Sequence, residues 1–364
     1  MMRRPHHGGI ARSLACTGIL VALSLVVPAA ASRHHHRRHR RYRRAAQTWT
    51  ASTYAYGLSA DDVTGGEDPV VRRAAVDALG DLNGTAVIVD PNNGRILAMV
   101  NQDLALSADY QPCSTTKIAI ALAALDQGII NENTPVQVGR HWFVTLTSAL
   151  AHSNNAYFEA LGQRLGFETV SHYERLLGLG EKAGWDIPGE DPGSYPAAPG
   201  PGGVAKLSSF GEGIHMSPLQ LAAIVSTVAN GGTLYWLQHP TTAEQAADFV
   251  PRVKRRLNIH NFLPAVQDGM MAAVDYGTAR GAYLSDEEIL GKTGTCSRDG
   301  TRFGLFGSFL GPQYPQLAVV VILRGNGSVY GPRAAEVAGR IYRALDHQQY
   351  FAANRGPSGR PAGE

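Results

Sequence analysis

Short apolar runs near both ends of the chain read as strands, and the stretch between them reads as helix. Residues 85–90 and 95–100 flank the turn Asp90-Pro91-Asn92-Asn93-Gly94, a spacing that predicts a hairpin. Residues 288–296, 302–310 and 316–324 predict three successive strands, and apolar positions at helical spacing over 334–347 predict a helix after them. In the middle, 114–127 is apolar almost all round after its first turn and stops at Gly128, so it should be a buried helix. A second helix is predicted over 217–230, with Ser217 as N-cap, Pro218 at the first position, Gln220 completing a capping box and Gly231 as the stop. A weaker helical pattern covers 70–79. Residues 188–203 hold five Pro and five Gly, which excludes a regular element and suggests a loop at the rim of a site. This order predicts an α/β (α+β) fold: a central antiparallel sheet drawn from both chain ends, flanked by helices, with an all-helical subdomain inserted.

The first 31 residues change the picture. Arg3, Arg4 and Arg12 precede an apolar run over 14–27, and Ala29-Ala30-Ala31 offers a small-residue cleavage site, so this segment reads as a signal peptide or a membrane anchor. Seven Arg and four His between Arg33 and Arg44 mark residues 32–48 as a basic tether, suited to anionic lipid or an anionic envelope polymer. Residues 49–348 are then the folded domain and 349–364 a Gly/Pro-rich, disordered tail. The formal net charge of +3 is a product of the leader and tether: residues 1–44 carry ten Arg and no acid, leaving 23 basic against 30 acidic side chains in the rest. A nucleic-acid-binding body is excluded on that balance, because no large positive field remains to neutralise phosphates.

Three short motifs carry the chemistry: Ser114-Thr115-Thr116-Lys117, Ser153-Asn154-Asn155 and Lys292-Thr293-Gly294-Thr295. A serine hydroxyl is a weak nucleophile until a neighbour takes its proton. Three residues along a helix is the same face, so Lys117 can reach Ser114, and burial among Ile118, Ile120 and Leu122 would depress its pKa and leave a neutral amine as base. Taken singly, each motif has an ordinary reading: a surface serine one turn before a lysine, a turn, a strand end. The chain has only five lysines, however, and Lys117 lies in its most apolar helix, where an unpaired ammonium is costly.

In this order the motifs resemble the signature S-x-x-K, S-x-N, K-T-G of the penicillin-binding transpeptidases and related serine β-lactamases. The resemblance spans roughly residues 83–346. Gly94-Arg95-Ile96-Leu97-Ala98-Met99-Val100 is similar to the hairpin ahead of the nucleophile in that family, and Phe210-Gly211-Glu212-Gly213 with Ser217-Pro218-Leu219-Gln220 to the segment before its last motif. It implies a β-lactamase/transpeptidase-like fold acting without a cofactor on peptidoglycan stem peptides, with β-lactams as covalent inhibitors. Ser114 would attack the carbonyl between two D-alanines, Lys117 would take its proton and Ser153 would relay one to the departing amine. Asn155 would hold the substrate amide, and Lys292, Thr293 and Thr295 the terminal carboxylate. The N–H groups of Ser114 and Thr295 would form the oxyanion hole, with Gly294 between the two threonines. The site would lie outside the cytoplasm, in the periplasm or on the outer face of the cytoplasmic membrane.

Within the superfamily the sequence favours a transpeptidase. No Glu between Ser153 and Lys292 has Asn four residues on, as a class A β-lactamase requires, and Asn155 stands where class D enzymes carry Val. A D,D-carboxypeptidase, a β-lactamase, or a non-catalytic sensor or scaffold that binds β-lactams or stem peptides are the alternatives. Of three cysteines, Cys16 falls in the leader. Cys113 and Cys296 flank the first and third motifs; some β-lactamases of the superfamily bridge the equivalent positions, and the alternative is two small buried thiols. The histidines, His152 and His215 among them, show no metal-ligand spacing.

Overall fold

The apolar runs at the two ends of the chain pair with each other. A computed structural model of the protein describes residues 48–311 and 317–354. The predicted signal peptide or anchor, all but the last residue of the tether, and tail residues 355–364 lie outside the described residues. Strands β1 (Gly84–Val89) and β2 (Ile96–Val100) form the predicted hairpin. Two short ribbons follow, β3 (Val136–Gly139) with β4 (Trp142–Val144) and β5 (Thr233–Tyr235) with β6 (Val253–Arg256). Then come β7 (Ile289–Arg298), β8 (Thr301–Leu310) and β9 (Ala318–Gly325). The five long strands make one sheet in the order β2-β1-β9-β8-β7, antiparallel throughout, with Val87 opposite Val320 and Thr293 opposite Phe306. The strand bearing the third motif is therefore an edge strand.

Successive side chains on a strand point to opposite faces, and both faces here are covered. Val87, Val89, Val320 and Ile322 join one hydrophobic core, while Ala86, Ile88, Val319 and Val321 join another. That is why β1 and β9 read as continuous apolar runs and not as alternating ones. Helices α1 (Pro69–Leu79) and α10 (Gly331–His347) supply the second core. Asp68 caps α1 by accepting from the N–H groups of Val70 and Val71, and Pro69 occupies its first position, where no N–H is needed.

The first core is built from the helical middle. Helix α2 (Gln102–Leu106) leads from the hairpin toward a 3₁₀ turn over Cys113–Thr116, and α3 (Lys117–Asp126) continues directly from that turn. After the β3–β4 ribbon come α4 (Leu146–Ala151), α5 (Asn155–Leu176) and α6 (Gly203–Phe210). Helix α5 breaks at Gly166, whose φ of 77° only a glycine adopts without strain. Helix α7 (Pro218–Ala229) has the predicted capping box of Ser217 and Gln220 and is buried along its whole length against the sheet. Helices α8 (Ala243–Ala247) and α9 (Leu263–Asp275) complete this region.

Two expectations are corrected. The predicted helix over 114–127 opens with a 3₁₀ turn, so α geometry begins only at Lys117. The tail predicted as disordered from 349 instead starts with helix α11 (Tyr350–Asn354). Phe351 is buried in the second core and the Tyr350 hydroxyl donates to Asp68 Oδ2 at 2.9 Å; two aromatic residues ahead of the Gly/Pro-rich segment give it something to bury.

Candidate active site

The 3₁₀ turn decides how Ser114 meets Lys117. At three residues per turn, positions i and i+3 eclipse, and Lys117 Nζ lies 3.1 Å from Ser114 Oγ. Cys113, immediately before the serine, has φ 51°, a left-handed conformation costly for a residue with a Cβ. Ser114 is 8 % exposed at the head of a helix that is apolar around its circumference, and Lys117 is wholly buried.

The second motif comes from the other side. Helix α4 ends at Ala151, Ser153 takes φ 54°, and Asn154 caps α5 by accepting from Tyr157 N at 3.0 Å. This corner directs both Ser153 and Asn155 at the lysine. Lys117 Nζ is 2.6 Å from Asn155 Oδ1, 2.8 Å from the Ser153 carbonyl oxygen and 3.2 Å from Ser153 Oγ. A neutral amine has two protons and one lone pair. The two closest contacts, both to carbonyl-type oxygens, take the protons and leave the lone pair for a hydroxyl.

The third motif closes the site from the sheet edge. Lys292, buried on β7, donates to Ser153 Oγ at 2.8 Å and to the Thr293 carbonyl at 3.0 Å. A chain of contacts thus runs from Ser114 through Lys117 and Ser153 to Lys292. Burial lowers the Lys117 pKa to about 6, helped by the positive charge of Lys292 and opposed by Glu159. Burial alone lowers Lys292 to about 7. Glu159, one helical turn beyond Asn155, is itself held by Lys206 at 2.6 Å. The arrangement can therefore present an unprotonated amine to a serine hydroxyl beside a second, cationic amine.

Cys113 and Cys296 are joined by a disulfide, with Cα atoms 5.7 Å apart. It fastens the residue before Ser114 to the edge strand four residues beyond Lys292. The two motif threonines are each engaged. Thr295 Oγ1 accepts from the Gly331 N–H at 2.8 Å, and Thr293 Oγ1 lies 2.7 Å from Thr278 Oγ1. Neither Thr278 nor Glu174 stands out in the sequence: Thr278 follows a helix end, and Glu174 sits in a mixed helical stretch with no charge pattern. Glu174 is fully buried behind the 3₁₀ turn that carries Ser114, accepting from Thr116 Oγ1 and, at 2.6 Å, from the Tyr195 hydroxyl. Burial raises its pKa to about 7 against those two hydrogen bonds. Tyr195 belongs to the predicted rim loop, so that loop is tied to the 3₁₀ turn through one carboxyl group. The two histidines sit apart from the four central side chains: the His152 ring packs near Tyr276, and His215 Nδ1 lies 3.1 Å from Arg298.

Comparison with known proteins gives a consistent result. Residues 84–345 match the family model described as penicillin binding protein transpeptidase domain. Stage V sporulation protein D of Bacillus subtilis is 28% identical over 311 residues, covering 71% of this chain and 48% of that protein. Peptidoglycan D,D-transpeptidase FtsI of Escherichia coli K12 is 24% identical over 310 residues, covering 72% and 52%. The chain spans about half the length of the curated relatives it matches. Among solved structures, Pseudomonas aeruginosa PBP2 in complex with WCK 5153 superposes with a TM-score of 0.65 at 25% identity, over 81% of this chain and 79% of that one. The D,D-transpeptidase domain of an Eggerthella lenta peptidoglycan glycosyltransferase has the same fold, with a TM-score of 0.63 at 19% identity, over 80% and 87%.

Proposed function

The chain belongs to the penicillin-binding protein transpeptidase family, and from that premise we propose that it is a serine D,D-transpeptidase acting on peptidoglycan stem peptides. The observation that carries the reading is the position of Lys117 Nζ, 3.1 Å from Ser114 Oγ with its other contacts on carbonyl oxygens and Ser153. The lysine amine takes the Ser114 proton as Oγ attacks the carbonyl between the two terminal D-alanines. The oxyanion forms against the N–H groups of Ser114 and Thr295. Ser153, bonded to both lysines, passes the proton from Lys117 to the leaving amine; D-alanine departs and an ester on Ser114 remains. The amine of a second stem peptide then attacks that ester, the serine recovers its proton, and a cross-link results.

Lys292, Thr293 and Thr295 bind the terminal carboxylate, which requires a cation and short hydroxyl donors. Asn155 holds the substrate amide. A β-lactam acylates the same serine, and the absence of a Glu with Asn four residues on between Ser153 and Lys292 leaves water without the class A activating group. The site works on the outer face of the cytoplasmic membrane or in the periplasm, with the N-terminal segment as export signal or tether.

The test is labelling of the purified protein by a fluorescent penicillin, with Ser114→Ala alongside. The expected result is one stable adduct on Ser114, lost in the variant. Rapid release of hydrolysed drug would make the protein a β-lactamase, and absence of any adduct would make it a binding module.

A further inference from the structure

We propose that Thr278 is a positioning residue for carboxylate recognition, acting through the Thr293 hydroxyl; the inference rests on the function proposed above. A hydroxyl has one proton and two lone pairs. To serve a carboxylate, which only accepts, a threonine must keep its proton for the ligand and satisfy its oxygen elsewhere. Thr295 meets this condition through the backbone: its Oγ1 accepts from the Gly331 N–H at 2.8 Å. Thr293 has no such backbone donor to its oxygen among the described contacts. Its oxygen is instead 2.7 Å from Thr278 Oγ1, in a pair where either hydroxyl can donate. A bound carboxylate settles the direction: Thr293 donates to the ligand, so Thr278 donates to Thr293.

The Thr278 backbone explains how that hydroxyl is held. Thr278 N donates to the Ala151 carbonyl at 3.0 Å, and Ala279 N to the Ala273 carbonyl at 2.8 Å, on either side of the side chain. Ala151 closes α4 just before His152 and Ser153. A Cβ on Gly277 would stand 2.2 Å from the same carbonyl oxygen, so only glycine permits this approach. One residue therefore grips the segment leading into the second motif with its main chain and the third motif with its side chain. Thr293 is almost completely buried, which limits the solvent that could replace Thr278 as donor.

The test measures the dissociation constant and the limiting acylation rate for benzylpenicillin, and acylation by its carboxylate methyl ester. Thr278→Val should weaken benzylpenicillin binding roughly tenfold and leave the limiting rate within about twofold, with the ester unaffected. Thr278→Ser should retain wild-type binding. On a Thr293→Val background, Thr278→Val should add nothing, because the hydroxyl it orients is gone. Unchanged binding in Thr278→Val, equal loss for penicillin and ester, a Thr278→Ser variant as weak as Thr278→Val, or additive effects in the double variant would each overturn the inference. A wild-type protein that neither ligand acylates would instead remove the proposed function beneath it, so the two failures are distinguishable.

Discussion

The sharpest consequence of the site is kinetic. With a Lys117 pKa of about 6, roughly 90% of the amine is unprotonated at pH 7; at an ordinary lysine value of about 10.4 the fraction would be a few parts in ten thousand. Burial, with the positive charge of Lys292 beside it, thus raises the supply of base by a factor of roughly 2,000. Acylation by penicillin, measured as the second-order rate constant by stopped-flow, should rise as pH increases through about 6. It should fall again as Lys292, lowered to about 7, loses the charge that attracts the ligand carboxylate. The two amines sense each other, so both limbs belong to the pair. At saturating penicillin the falling limb should move to higher pH, because the bound carboxylate favours the Lys292 ammonium. Lys117→Arg puts a permanent cation in place of the neutral amine, has no lone pair to take the serine proton at these pH values, and should lower the rate by about 10³ or more. A rate constant flat from pH 5 to 8, or a Lys117→Arg variant within tenfold of wild type, would refute the neutral-base argument.

Three further outcomes follow from other parts of the fold. The Cys113–Cys296 bridge spans 183 residues of sequence, a loop for which chain entropy sets an upper bound of about 5 kcal/mol; a reductant should lower the melting temperature, and an unchanged melting curve would show that the bridge does not form. Glu174, whose pKa is about 7 when folded against an ordinary 4.5, stays protonated in the fold over a range where the unfolded chain ionises. Its contribution is therefore complete below pH 4.5 and declines until about pH 7, by roughly 3 kcal/mol in all. Glu174→Gln, which mimics the protonated acid, should remove that slope in urea unfolding at pH 5 and pH 8, and identical slopes would count against it. Gly277→Ala places a Cβ 2.2 Å from the Ala151 carbonyl oxygen and should cost about 1–3 kcal/mol while slowing acylation; a variant with wild-type melting and rate would contradict that close approach.

Local chemistry determined much of this protein from its sequence alone. The hairpin, the capped helix after Ser217 and the three late strands are legible because turn residues, caps and apolar runs act over a few residues. Ser114 and Lys117 are linked by spacing along a single turn, so their partnership is legible too. The long broken helix α5 was not, because its pattern is mixed and its interruption at Gly166 depends on what packs around it. Helix α11 is not legible in the sequence because burial of Phe351 depends on a core assembled from both ends of the chain. Tertiary structure alone decided which groups distant in the chain meet: Lys292 with Ser153 over 139 residues, Glu174 with Thr116 over 58, and Thr278 with both Ala151 and Thr293. Such pairs carry no periodicity, since a hydrogen bond requires position in space and leaves no mark on the order of residues between its ends.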